Sequence, residues 1–306
     1  MRKALRIIGK VLLGLVALIV LVVIAGYAVS AVKFRKRYAI APARIVVPTD
    51  SASLGRGHAL AALNGCTGCH STTLGGQVMF SMFPVARLAA PNLTRGRGGV
   101  GGRYTDADWE RAIRHGVRAN GHPLVIMPST EFNQLRDEDV GQLIAYLKSV
   151  PPVDSVVPGV TLWPVGHVLH AFGAPIVAAE KIDHTHQAVV APPPGATVEY
   201  GKYVSGGCRF CHGADLRGQA HRPGEPDAPP APNSSRTGSV GKWTEAQFIQ
   251  TLRTGVTPAG RRLVNEYMPW EAIRHLHDDE LRGVWMYIQA ADSVRAADSV
   301  AAAKKK

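Results

Sequence analysis

The sequence predicts an all-α protein: two tandem copies of one small helical domain behind an N-terminal membrane helix. Three observations predict this. Val11 to Val29 is a run of 19 residues without a charged or strongly polar side chain, enough to cross a bilayer as a helix. Sliding the chain against itself by about 141 positions aligns a long series of residues. Each half then closes on a segment whose apolar residues recur at i, i+3, i+4 and i+7, the period of a helix with one buried face.

The first element, residues 1–37, is the anchor. A cleavable signal peptide is the rival reading, since Ala28 and Ser30 are small enough for a cleavage site, but signal cores are usually shorter, about 7–15 residues. The formal charge of +12 on 306 residues suggests a nucleic-acid binder, and its placement argues against one. Arg2, Lys3, Arg6, Lys10, Lys33, Arg35, Lys36, Arg37 and Arg44, with no acid among residues 1–44, and Lys304, Lys305 and Lys306 account for the whole excess. The remainder is formally neutral, so the basic residues read as membrane flanks and a tail, with no nucleic-acid partner. Basic residues lie on both sides of the span, so the positive-inside rule leaves its orientation open.

The repeat sets the next elements, residues 50–150 and 196–292. Leu74-x-Gly76-Gln77 matches Leu216-x-Gly218-Gln219, Pro91-Asn92 matches Pro232-Asn233, and Tyr104-Thr105-Asp106-Ala107 matches Trp243-Thr244-Glu245-Ala246. Ile113-Arg114-x-Gly116-Val117 matches Leu252-Arg253-x-Gly255-Val256. Thr244-Glu245-Ala246-Gln247 is a capping box that opens a helix to about Arg253, and Thr105 caps its counterpart. Val140, Leu143, Ile144 and Leu147 form the closing stripe of the first half; Leu281, Val284, Trp285 and Ile288 form that of the second. Acids precede both stripes, as suits a helix N-terminus. Residues 151–195 are a proline-rich linker whose apolar stretch around Leu162, Trp163, Leu169 and Phe172 is expected to form a short helix on one domain. Residues 293–306 are a tail.

Each half also carries Cys-x-x-Cys-His: Cys66-Thr67-Gly68-Cys69-His70 and Cys208-Arg209-Phe210-Cys211-His212. Two thiols three residues apart can each add to a vinyl group of one haem, and the next histidine then faces the iron, the signature of covalent c-type attachment. A Met-Pro dipeptide follows each motif at a matched distance: Met127 lies 61 positions after Cys66 and Met268 lies 60 after Cys208. A methionine thioether is a common sixth ligand. The bland alternatives fit poorly. Paired zinc knuckles usually lie about 15–20 residues apart, and these are separated by 138. A thioredoxin-like redox pair needs strands alternating with helices. All four cysteines are consumed by the motifs, leaving none for a disulfide, a nucleophile or a thiolate ligand.

On these motifs, over roughly 55–150 and 196–291, the chain resembles the class I c-type cytochromes. The resemblance implies an N-terminal helix leading into each Cys-x-x-Cys-His, loops around the haem, a methionine ligand and a closing helix. It implies two covalently bound haem c groups, with Cys66, Cys69, Cys208 and Cys211 attaching them. His70 with Met127, and His212 with Met268, would then ligate the irons. Pro91 and Pro232 resemble the family's proline whose carbonyl accepts a hydrogen bond from the proximal histidine. It further implies haem domains on the periplasmic side of a bacterial inner membrane, with the N-terminus cytoplasmic. The arrangement is similar to membrane-anchored dihaem cytochromes and to cytochrome subunits of membrane-bound alcohol and sugar dehydrogenases, which commonly carry three haems where this chain has motifs for two.

Other candidates weigh less. Gly96, Gly98 and Gly101 spell G-x-G-x-x-G but follow a Pro-Asn-Leu-Thr loop, not a strand, so they are no dinucleotide site. His167, His170, His184 and His186 read as exposed linker histidines without carboxylate partners. His122, Met79, Met82, His221, His275 and His277 are rival iron ligands; the alignment of the two Met-Pro dipeptides favours Met127 and Met268. With histidine and methionine on both irons no substrate position is open, and the expected function is electron transfer. The donor would be a quinol-oxidising complex or a dehydrogenase, and the acceptor a partner such as a terminal oxidase. The alternatives are a peroxidase-like dihaem enzyme and a haem subunit of a larger dehydrogenase.

Overall fold

The computed structural model describes residues 2–185, 189, 191–220 and 228–303, with side chains as far as Ala291. Helix α1 (Arg2–Arg35) is 34 residues long, about 50 Å at 1.5 Å per residue. Its most apolar window has a mean hydropathy of 3.1, and none of that window is buried against protein. A core helix of this composition would be covered by its own chain. Here Leu13, Val16 and Leu21 are exposed, so the helix has the length and the unpartnered apolar surface of a single-pass anchor.

The first half begins with α2 (Ser51–Leu63), capped by Asp50, whose carboxylate accepts from the Ser53 amide at 2.9 Å. It continues with α3 (Cys66–His70), strands β1 (Gln77–Met82) and β2 (Ala86–Ala90), then α4 (Asp106–His115), α5 (Ser129–Phe132) and α6 (Asp137–Ser149). The linker contributes β3 (Thr161–Leu162) and α7 (Pro164–Ala171). The second half follows the same helical order: α8 (Val198–Val204), α9 (Cys208–His212), α10 (Glu245–Thr254), α11 (Trp270–Ile273) and α12 (Asp278–Ala303). Both expected capping boxes are formed, Thr105 with Asp108 and Thr244 with Gln247. The backbone of α12 runs on past residue 293, so that stretch continues the helix. Lys304–Lys306, His186 and His221 lie outside the described residues.

The expectation of an all-α fold needs correction. Strands β1, β2 and β3 form a small antiparallel sheet in that order. The pairing of Gln77 with Ala90 at its root has a counterpart, an isolated bridge between Gln219 and Ala231. The first half extends this bridge into a hairpin. In the second half the described residues just before the bridge partner Ala231 include Pro229 and Pro230, which cannot donate to a ladder.

Each half has its own core. Leu74, Trp109, Ile113, Phe132, Leu143 and Ile144 pack together in the first; Tyr200, Leu216, Phe248, Leu252, Leu281 and Ile288 do so in the second. The closing helix crosses the opening helix at a glycine in both. A Cβ on Gly57 would stand 2.1 Å from the Gln142 carbonyl oxygen, and one on Gly201 would stand 1.8 Å from the Gly283 carbonyl oxygen. Only glycine lets these backbones approach so closely.

A buried polar cluster joins the halves. Arg56 on α2 donates to Glu280 of α12 through Nη2 at 2.8 Å and Nε at 3.0 Å, and also pairs with Asp139 and Gln142 of α6. Tyr203 of α8 donates to Asp139 and accepts from the Arg136 amide at 3.0 Å. Burial works against the Arg56 charge, but Asp139 and Glu280 outweigh it and raise its pKa. Burial likewise opposes the Asp139 charge, and Arg56, Arg136 and Tyr203 overcome it, holding the carboxyl below its ordinary range.

The linker is packed, and His167, His170 and His184 are not the exposed residues the sequence suggested. His170 is buried, with Nδ1 2.9 Å from Ser30 Oγ of α1 and Nε2 3.7 Å from Glu180. His167 Nδ1 shares the same serine oxygen at 2.9 Å. His184 Nδ1 lies 3.1 Å from that of His115, and its Nε2 donates to the Ala179 carbonyl at 3.0 Å. Sequence reading saw polar residues in a proline-rich connection; it could not see that α1 and α4 return to the same place and bury them. The Gly96–Gly101 loop has a packing explanation too. A Cβ on Gly96 would stand 2.1 Å from the Val153 carbonyl oxygen, where the linker crosses the loop.

Candidate functional site

In each half a helix delivers its cysteine pair and histidine to the mouth of an apolar cavity. Helix α2 ends, Gly65 turns the chain at φ +70°, and α3 carries Cys66, Cys69 and His70 into a cavity walled by Leu93, Trp109, Ile113 and Met127. Helix α8 leads through Gly207 to α9, whose Cys208, Cys211 and His212 face a cavity walled by Leu216, Phe248, Leu252 and Met268.

His70 Nδ1 donates to the Pro91 carbonyl at 2.8 Å, and His212 Nδ1 lies 3.0 Å from the Pro232 carbonyl, with Ser234 Oγ also at 3.0 Å. A proton on Nδ1 leaves Nε2 as a lone pair available to a metal, with the carbonyl fixing the ring. Burial holds the His70 imidazole below its ordinary pKa, against the opposing pull of the Pro91 bond. Burial also pushes the Cys66 thiol up to about 12 and Cys208 to about 11, each with a smaller push from the neighbouring cysteine.

Matching loops bring the methionines in. Helices α4 and α10 end on the left-handed glycines Gly116 and Gly255. Isolated bridges, Val117 with Pro123 and Val256 with Arg262, then turn the chain back toward the cavity. Pro128 and Pro269 start the short helices α5 and α11 directly after Met127 and Met268. Met268 is the one methionine in the wall of the second cavity; Met79 on β1 joins Met127 in the first. The other rivals lie elsewhere. Met82 is half exposed on the hairpin. His122 sits in the Arg118–His122 turn, and its ring is absent from the cavity walls. His275 packs near His58, and the His277 amide donates to Glu280 at the start of α12.

Trp109 Nε1 is buried, lines the first cavity and has no hydrogen-bond partner. A group carrying acceptor oxygens would satisfy it, so an apolar macrocycle with carboxylates fits this cavity in both its apolar walls and its orphan donor.

Two features escaped the sequence reading. Phe210, inside the second motif, lines the first cavity, its ring 3.6 Å from where a Cβ on Gly65 would stand. The two motifs thus meet at a common groove that includes Cys69, Cys208 and Phe210. At its back, a Cβ on Gly207 would stand 2.4 Å from the Leu63 carbonyl oxygen. An aromatic residue between the cysteines was the available signal, but motif spacing says nothing about what that side chain touches.

A histidine held by a proline carbonyl, a cysteine pair and a methionine around an apolar cavity is the arrangement expected of a c-type haem domain. By comparison, residues 54–151 match the family model described as Cytochrome c. That stretch is a cytochrome c domain, which implies covalently bound haem c. The chain is also similar to the fructose dehydrogenase cytochrome subunit of Gluconobacter japonicus, with 27% identity over 78% of this chain and 52% of that protein. It is 27% identical to the alcohol dehydrogenase (quinone) cytochrome c subunit of Gluconobacter oxydans, over 80% of this chain and 56% of that one. The gluconate 2-dehydrogenase cytochrome c subunit of Pantoea cypripedii is likewise 27% identical, over 82% and 62%. The chain therefore spans between half and two thirds of the length of these relatives. They are cytochrome subunits of dehydrogenases.

Proposed function

We propose that the protein is a membrane-anchored dihaem cytochrome acting as the electron-transfer subunit of a dehydrogenase complex. It would take electrons from that enzyme and pass them to a quinone or a downstream oxidase. The observation that carries the reading is the duplicated site: motif, proline carbonyl and methionine recur around two separate cavities. In this reading residues 50–150 and 196–292 are tandem cytochrome c domains. Cys66, Cys69, Cys208 and Cys211 attach two haems, His70 and His212 are the proximal ligands, and Met127 and Met268 are the distal ones. The haem, when bound, supplies a one-electron iron couple. The chain's own part is to hold the imidazoles through Pro91 and Pro232, to present thioethers that favour the reduced state, and to exclude water with apolar walls. Two sites would let a two-electron donor be served in single steps. Helix α1 holds the protein in a bacterial inner membrane with its N-terminus cytoplasmic and both haem domains periplasmic.

A redox titration followed by visible spectra tests this. Two one-electron waves should appear, both above the range of a bis-histidine haem. Met127→His and Met268→His should each lower one wave, whereas Met79→Leu should move neither. A high-spin centre in the native protein, or a first wave that follows Met79, would overturn the ligand assignment.

A further inference from the structure

The linker has a property the electron-transfer reading does not use. From Ser155 to Ala179 it contains no Asp, Glu, Lys or Arg, yet it reaches the surface. Helix α7 lies directly against α1: a Cβ on Gly26 would stand 2.9 Å from Val168 Cγ2, and the Tyr27 and His167 rings are 4.4 Å apart. The polar atoms of α7 are turned inward, His167 and His170 both reaching Ser30. Its other face carries Val165, Leu169 and Phe172 at i, i+4 and i+7, one stripe of a helix, exposed by 40%, 49% and 80%. The stripe continues onto the turn between β1 and β2. Val165 and Trp163 donate backbone hydrogen bonds to the Pro84 and Val85 carbonyls at 3.1 and 3.0 Å. Phe83 packs on Trp163 at 5.7 Å and is itself 74% exposed, beside Met82 at 50%.

What covers this surface follows from where it sits. Gly26 belongs to the uncharged Val11–Val29 run, so α7 touches α1 at a depth where α1 is still apolar. The basic residues Lys33, Arg35, Lys36 and Arg37 come only about two to three turns later, at the level expected for headgroups. Tyr27 and Trp163 beside the contact are the residue types that collect at membrane interfaces. We infer that α7 and the Met82–Phe83 turn form a second membrane contact, lying in the lipid interface beside α1 with the Val165–Leu169–Phe172 stripe toward the acyl chains. The inference rests on the reading of α1 as a membrane-spanning helix. Its consequence is that the linker is a foot: it holds the first haem domain on the bilayer in one orientation, where a long flexible tether would let it wander.

The test uses the full-length holoprotein in nanodiscs of phosphatidylethanolamine and phosphatidylglycerol. Nitroxide labels are placed one at a time at Leu21→Cys, Phe83→Cys and Phe172→Cys, the native cysteines being taken up by haem. Power-saturation EPR with oxygen and a water-soluble nickel chelate then reports the surroundings of each label. All three labels should be accessible to oxygen and protected from nickel, and Leu169→Ser with Val165→Ser should raise nickel access at Phe83→Cys several-fold. A lipid-facing label at Leu21 with water-facing labels at Phe83 and Phe172 would overturn the second contact and leave the anchor standing. A water-facing label at Leu21 would overturn the anchor itself, and this inference with it. Labels at Phe83 and Phe172 shielded from both reagents would mean that another copy of the chain covers the face, which also overturns it.

Discussion

Phe210 illustrates how one residue ties the two cavities together. It belongs to the second motif by sequence and to the wall of the first cavity by position. Removing a ring that excludes water raises the local dielectric and favours the more highly charged oxidised iron, so the surroundings of a metal set its potential as much as its ligands do. Phe210→Ala should therefore lower the potential of the first centre by roughly 20–60 mV, given that 59 mV corresponds to a tenfold change in a one-electron equilibrium. Assignment of the shifted wave in a variant that lacks Cys208 and Cys211 but keeps position 210 checks which centre moved. A shift confined to the second centre would contradict the placement. At the same scale, the motif cysteines and histidines stand out by their spacing, because covalent attachment needs those residue types at fixed separations, whereas Pro91 and Pro232 were singled out only through the resemblance to the class I cytochromes. The choice between Met127 and Met79 was not, since β1 folds Met79 back onto the cavity that Met127 also lines.

At the scale of elements, helix starts and stripes were readable because each is local: a capping box lies within four residues and an amphipathic stripe within eight. The β1–β2 hairpin was missed because Pro84 and Ala-rich β2 give little strand signal, and its third strand comes from the linker far away in sequence. The Arg56 cluster was missed for the same reason, as its members come from α2, α6, α8 and α12. That cluster makes a stability prediction. Breaking a buried ion pair by removing one partner usually costs about 3–5 kcal/mol, so Asp139→Asn should destabilise the protein by about that much in denaturant unfolding. The pH dependence has a definite sign. A carboxyl whose pKa is lower in the folded than in the unfolded state stabilises the fold above the unfolded value, about 3.9, and loses that contribution as pH falls through the folded value. The native protein should thus lose stability in acid below about pH 4, and Asp139→Asn should flatten that loss. An unchanged acid profile would show that Asp139 is not the group responsible.

Across the whole molecule, the order of long apolar helix, helical half, connecting segment and second helical half was legible because duplication writes the same pattern twice. The approach of the two halves was not. It depends on Gly207 meeting the Leu63 backbone and on Arg56 reaching Glu280, contacts with no local signature. The same holds for the linker, whose uncharged run was visible in the sequence although its position against α1 was not. The central claim is that this chain carries two covalent haems, one in each half. It is tested most directly by pyridine haemochrome content per chain in the native protein, in Cys66→Ala with Cys69→Ala, and in Cys208→Ala with Cys211→Ala. Each double variant should keep half of the native haem, still attached on a denaturing gel. Full haem content in either variant, or complete loss in one and none in the other, would contradict it.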